Sequence, residues 1–420
     1  MRTKTNLEQK AAGVSGLRSA LMMVALGLPY FFSNFHRYAL GIIGSVIAAD
    51  YQLTPEQLGI LGSALLYTYA TMQIPCGYLA DKISPKKMLV FSCILAAISS
   101  VMFASGSNFT SLVIARALTG VATALVYVPA MAIIRKSYGD AVYGSMVGIM
   151  VAMGKAGNVA AASPLKFFTD IVGWKATFRG IGAISIVIAV LAWFLIIETK
   201  AEREAMKEKR RTAQKADLSG LRSAGAITIM VGFFLVAGTR LSFQSLWAGK
   251  YFTEGIGGTD AQSGYYLTMM SVGCIFGSLI FGKLSDAIGS MRALVICSLV
   301  FSASWLMFML IPVGATGVFV HIASAILGAV GAGTFTVCFS CVRSFVSAGG
   351  TGLSSGIFNF FAFFGSAMFT QFSTKIFGLS NGTVKDQFNV LLLVFTVITL
   401  IAALVVAAAN RKKIAEEKNR

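Results

Sequence analysis

Twelve apolar runs separated by short polar breaks make up most of the chain: about 20–49, 56–80, 88–106, 109–134, 142–168, 176–198, 224–252, 261–283, 292–312, 316–342, 351–377 and 386–409. At 1.5 Å of rise per residue, runs of this kind cross a hydrocarbon core about 30 Å thick. Lipid offers no partner to an unpaired backbone N–H or C=O, so each run is predicted to be a helix. The expected fold class is an all-α membrane protein with 12 transmembrane helices. The first run has the position of a secretory leader, but it is too long and no small-residue cleavage site follows it, so it is expected to be retained.

One polar stretch is long. Residues 199–221 carry mixed charges at helical spacing and read as a solvated connector that divides six runs from six. The expected organisation is a tail at 1–19, a six-helix bundle at 20–198, the linker at 199–221, a second bundle at 222–410 and a tail at 411–420. A repeat supports the division. Gly77-Tyr-Leu-Ala-Asp81-Lys-Ile-Ser-Pro-Lys-Lys87 follows the second run, and Gly282-Lys-Leu-Ser-Asp286-Ala-Ile-Gly-Ser-Met-Arg292 follows the eighth. The same pattern at the same place in each half points to duplication.

Composition agrees: 56% of the 420 residues are hydrophobic and 12% charged. The net charge of +18 raises nucleic acid as a partner, and its placement removes it. The basic residues gather near Arg18, at Lys82 to Lys87, at Arg135 and Lys136, through the linker, at Lys283 and Arg292, at Arg343 and from Arg411 onward. All these lie on one side if the helices alternate, which predicts both termini in the cytoplasm of a multi-pass inner-membrane protein. The six cysteines sit within the apolar runs and read as packing residues, so neither a disulfide framework nor a metal or other cofactor is expected. No cluster of nucleophile, base and acid falls at membrane depth, so an enzyme is not expected.

The chemistry lies in the charges that remain inside the runs. Arg37 falls near the middle of the first, where a cation must face protein or water. Ser33, Asn34, Arg37, Gly41 and Gly44 share one helix face, while His36 points about 100° away. The seventh run places Arg240 at a comparable depth, with Phe243, Gln244 and Trp247 on its face. Arg37 lies 40 residues before Gly77, and Arg240 lies 42 before Gly282. Pseudo-twofold symmetry then puts them on opposite walls of one cavity. Lys155 and Asn158 come from the fifth run; Asn359 comes from the eleventh, among Phe358, Phe360, Phe361, Phe363 and Phe364. Tyr127 is a further polar aromatic. Every carboxylate falls at a helix end or in a loop, so the cations have no buried acid to pair with. A small anion relieves them, and the planar fork of arginine suits a carboxylate or phosphate. The alternative is that one or more of these cations bonds a backbone carbonyl at a helix break.

The loop after the second run, with its echo after the eighth, resembles the signature of the major facilitator superfamily. That resemblance implies two pseudo-symmetric six-helix bundles that rock about a central site, a functional monomer, and roles in the conformational switch for Gly77, Asp81, Lys87, Gly282, Asp286 and Arg292. Arg116-Ala-Leu-Thr-Gly120 matches the family's Arg-x-x-x-Gly pattern in helix 4, and the match gives Arg116 a part in the same switch. At the outer third of that helix, snorkelling or contact between halves weighs as heavily as contact with substrate. Arg37-Tyr-Ala-Leu, Leu53-Thr-Pro-Glu-Gln-Leu-Gly59 and Gln73-Ile-Pro-Cys-Gly-Tyr-Leu79 resemble the anion:cation symporter branch. The arginine pair, with Asn158-Val159 and Pro164, resembles organophosphate:phosphate antiporters. The symporter branch has acids where this chain has His36 and Thr123, which leaves either anion exchange or proton coupling through His36.

The function expected is secondary transport of a small organic anion by alternating access. A sugar acid or short organic acid is favoured over a phosphate ester, with protons or a counter-anion as the coupled species. Substrate contacts are expected from Arg37, Arg240, Lys155, Asn34, Gln244, Asn359, Trp247 and Tyr127. The rival readings are a proton-driven exporter of drugs or amphiphiles and, more remotely, a transporter-like nutrient sensor.

Overall fold

The computed structural model describes residues 16–138, 143–196, 223–342, 351–379 and 381–418. Among these residues helices occupy every apolar run and no strand forms. The helix α1 comes in two pieces, Gly16–Tyr38 and Leu40–Tyr51, followed by α2 (Pro55–Lys82) and α3 (Pro85–Ser105). Next are α4 (Phe109–Ala124 and Tyr127–Tyr138), α5 (Tyr143–Ala160 and Ser163–Val172) and α6 (Trp174–Leu195). The second half has α7 (Ala224–Gly255), α8 (Asp260–Ile288), α9 (Ser290–Met309), α10 (Val318–Val342), α11 (Thr351–Phe377) and α12 (Val384–Lys418). Among the described residues eight helices are long and apolar enough to cross a membrane, or nine if bent α5 is one span. The other three, α1, α2 and α11, carry Asn34 and Arg37, Gln73, and Asn359. The linker at 199–221 and the side chain of Asp81 lie outside the described residues.

The halves repeat each other in detail. Thr54 and Gln57 form a capping box at the start of α2, and Thr259 with Gln262 forms the same box on α8. Each box satisfies backbone N–H groups that the first helical turn leaves free. Two residues before each box the backbone turns left-handed, at Gln52 (φ 50°) and Gly257 (φ 76°). These pairs, and Gly77 with Gly282, are all 205 positions apart, whereas Arg37 and Arg240 are 203 apart.

The missing two positions are in α7, which contains two π-helical stretches, Phe243–Trp247 and Tyr251–Gly255. There Ala248 N–H donates to the Phe243 carbonyl, and Ile256 N–H to that of Tyr251. A turn closed by an i→i+5 bond holds one residue more than an α-helical turn. Two such turns take up the two extra residues and let Arg240 come to the depth of Arg37.

The halves meet along three seams. On α2 and α11, Gly59 packs on Thr374 and Gly62 on Thr370. Further along the same seam Tyr67 donates to Gln371 (3.2 Å) and Asn359 donates to Gln73 (2.9 Å). On α1 and α7, Gly41 lies against the Gln244 and Ser245 carbonyls, and Gly249 against the Gly41 carbonyl. On α5 and α8, Gly264 packs on Ser163, and Lys166 pairs with Asp260 at 3.1 Å. The last two seams lie toward the face that bears the α1–α2 turn. That face holds a cavity of about 260 Å³, lined among others by Ser45, Lys166, Lys250, Glu254 and Asp260.

Candidate anion site

The α1 ladder fails at mid-helix, and the failure organises what surrounds it. Ala39 N–H still bonds the Phe35 carbonyl, after which Ile42 and Ile43 both turn to the Ala39 carbonyl. The His36 carbonyl takes its bond from Arg116, whose Nη1 lies 3.0 Å away. Arg116 is 3% exposed and so does not snorkel. It caps the broken end of a helix, the placement favoured for a cation by the helix dipole.

Arg37 sits beside this break and is 6% exposed, as is Arg240. Its Nη1 makes one long contact, 3.5 Å to Asn34 Oδ1, and Asn34 Nδ2 is anchored on the Tyr30 carbonyl at 2.9 Å. Arg37 Nε and Nη2 meet no acceptor. Arg240 Nη1 donates to Gln244 Oε1 at 3.1 Å and to Cys274 Sγ at 3.7 Å, while its Nε meets none. Tyr38 of α1 lies beside Arg240, and the charges of both arginines act on Lys155. Lys155 makes no hydrogen bond or ion pair among the described residues. One turn along α5, Asn158 is buried with both amide atoms unpaired. The structure thus gathers Arg37, Arg240, Lys155, Asn34 and Gln244, together with Cys274. Buried donors left this way are costly, and a bound oxyanion satisfies several at once.

Two of the other expected contacts, Asn359 and Trp247, are engaged elsewhere. Asn359 is committed to Gln73 across the α2–α11 seam. Trp247 donates to Ser373 Oγ at 2.6 Å and stacks on Phe377. Tyr127 is 36% exposed and packs on Tyr30. His36 faces the interior of the first bundle: its Nε2 is 3.5 Å from Ser100 Oγ, and its ring meets Phe35 and Phe178. It lies on the side of α1 away from the arginines.

The family model of the Major Facilitator Superfamily matches residues 26–370. The chain belongs to that superfamily. Among its relatives is a probable sulfoacetate transporter of Cupriavidus necator, 25% identical over 284 residues, which are 64% of this chain and 65% of that one. The match therefore spans just under two thirds of that relative's length. A D-galactonate transporter of Escherichia coli is 22% identical over 298 residues, covering 66% and 69%. The inward-facing, occupied structure of a bacterial homologue of the human lysosomal transporter Spinster superposes with a TM-score of 0.76. It covers 94% of this chain and 98% of its own at 16% identity, a likeness of fold alone.

In this major facilitator the described side chains of the signature loops are mostly exposed. Gly282 approaches Thr336, while Lys87, Asp286 and Arg292 are exposed. Asp286 and Arg292 share no ion pair among the described residues. Gly77 falls in the last turns of α2. Gly273 and Gly277 approach closely, lying on the Ala325 and Ala329 carbonyls of α10. Sequence reasoning missed Tyr69, whose ring is 4.5 Å from the Arg37 guanidinium. Its spacing of one turn from Gln73 was the available signal. Cys274, read there as packing, also faces the site.

Proposed function

We propose that this membrane transporter carries a small organic anion by alternating access, with Arg37 and Arg240 holding the charged group and Lys155, Asn34 and Gln244 around it. The observation that carries the reading is the pair of buried guanidinium groups with unpaired N–H donors, one from each half, with no carboxylate beside them among the described residues. A sugar acid or short sulfonate or carboxylate suits this geometry, and two relatives bear the names of sulfoacetate and D-galactonate transporters. Exchange of anions suits it better than proton symport, because His36 is turned away from the arginines and a vacant, cationic site resists closing. The basic clusters favour cytoplasmic termini in an inner membrane. The six-and-six division about the 199–221 linker, working as a monomer, completes the proposal.

The test is thermal stabilisation of the purified protein by sulfoacetate, D-galactonate, glucose 6-phosphate, glucose and a cationic dye, with Arg37→Ala and Arg240→Ala alongside. A ligand at 100 times its Kd stabilises by about 2.7 kcal/mol. Stabilisation by an anion that both variants lose supports the reading. Stabilisation by the dye or glucose alone replaces it with that of an exporter or a neutral-solute carrier.

A further inference from the structure

Arg37 is held by rings from both halves. Its Cζ lies 4.5 Å from the ring centroid of Tyr69 on α2 and 4.6 Å from that of Phe363 on α11. The two rings are 4.4 Å apart and inclined at 59°, so they form a corner into which the cation fits. All three side chains are buried, with exposures of 6% for Arg37, 4% for Tyr69 and 3% for Phe363. A guanidinium over an aromatic face is attracted by the ring quadrupole, and more strongly where water is excluded. Both rings therefore lie to one side of the guanidinium carbon, and its Nε and Nη2 meet no acceptor. Those two atoms form one of the two edges that make paired, parallel bonds to a carboxylate or sulfonate.

We infer that Tyr69 and Phe363 are positioning residues for Arg37, and that Phe363 couples anion capture to the apposition of α2 and α11. The inference rests on the anion reading above. Arg37 and Tyr69 belong to the first half, Phe363 to the second. When α2 and α11 part, Arg37 keeps one wall of its corner and loses the other, and the freed side chain must be ordered again before it holds an anion well. One turn away, the Gln73–Asn359 bond closes the same seam, so the corner and the seam form together. The site is then complete only in the state that brings these two helices into contact.

Fluorine on the ring weakens the quadrupole with little change of shape, which separates positioning from packing. Phenylalanine with one, two or three ring fluorines is placed at position 363 of the full-length protein, in the native background and with Arg37→Gln. The same series at Phe364, whose ring meets Tyr67 and Phe360, is the control. The readouts are Tm without ligand and the Kd for sulfoacetate and for D-galactonate. The expected result is a Tm that falls stepwise at 363 only when Arg37 is present. Anion affinity should weaken in step, by about tenfold at three fluorines, and Phe363→Tyr should retain it. An equal Tm trend with Arg37→Gln, or none in either background, overturns the corner. Unchanged affinity across the series, with binding abolished by Arg37→Gln, overturns the positioning role and leaves the anion reading standing. A native protein that binds none of sulfoacetate, D-galactonate and glucose 6-phosphate overturns that reading and the positioning role with it, and the Tm trend then reports on the contact alone.

Discussion

Arg37 and Arg240 occupy corresponding places in the two halves, yet the protein holds them by different means. Arg240 is tied by polar atoms, Gln244 at 3.1 Å and Cys274 at 3.7 Å from its own half, with the Tyr38 hydroxyl of the first half beside it. Arg37 has almost no polar tie and is braced by ring faces, one of them from the other half. The first arrangement spends guanidinium donors on the protein, whereas the second leaves them unpaired. Two copies of one residue have thus diverged into an anchor whose edge is free and a partner that is partly satisfied already.

The contrast predicts unequal damage. Arg37→Gln should weaken anion binding by a hundredfold or more, and Arg37→Lys nearly as much, because an ammonium cannot offer two parallel donors. Arg240→Lys should stay within about tenfold of the native protein, with isothermal titration as the measurement. Equal losses at the two positions would erase the distinction.

A second, smaller effect sharpens the comparison between site and seam. Gly249→Ala puts a methyl group on the Gly41 carbonyl, so α1 and α7 cannot meet as they do here. Exchange by reconstituted protein should be lost while anion affinity changes only a few-fold. A cysteine placed at Ser45, which lines the cavity on that face, should react faster with a maleimide. The smallest effect belongs to Lys166 and Asp260, whose side chains are 23% and 63% exposed. Asp260→Asn should cost at most about 0.5 kcal/mol of stability, less in high salt, since exposed pairs gain little over hydration.

Much of this was legible in one dimension. The helices follow from run length and the chemistry of lipid, and Arg37 and Arg240 are conspicuous because charge is so costly at that depth. The surroundings of Arg37 were not legible, because Tyr69 and Phe363 are separated by nearly 300 positions and meet only when α2 packs on α11. The aromatic-rich stretch of α11 was visible, but which ring faces the cation depends on helix rotation. Arg116 was misleading for a related reason. Its depth suggested the membrane surface, whereas its partner is a carbonyl set free by a break in α1 that no residue type announces. The two-residue offset between halves was plain in the numbering and had no meaning until the π turns of α7 explained it.

Those turns carry a consequence for ancestry. An insertion into a helix ordinarily swings everything beyond it by about 100° and would have carried Arg240 away from its counterpart. Here each π turn holds one extra residue as a local swelling, so the helix on either side keeps its register. A gapless comparison of the halves would match Arg37 with Ser242 and miss the kinship. Removing one residue from each swollen turn should restore a regular helix and leave the arginine in place, whereas a single deletion elsewhere in α7 should not be tolerated.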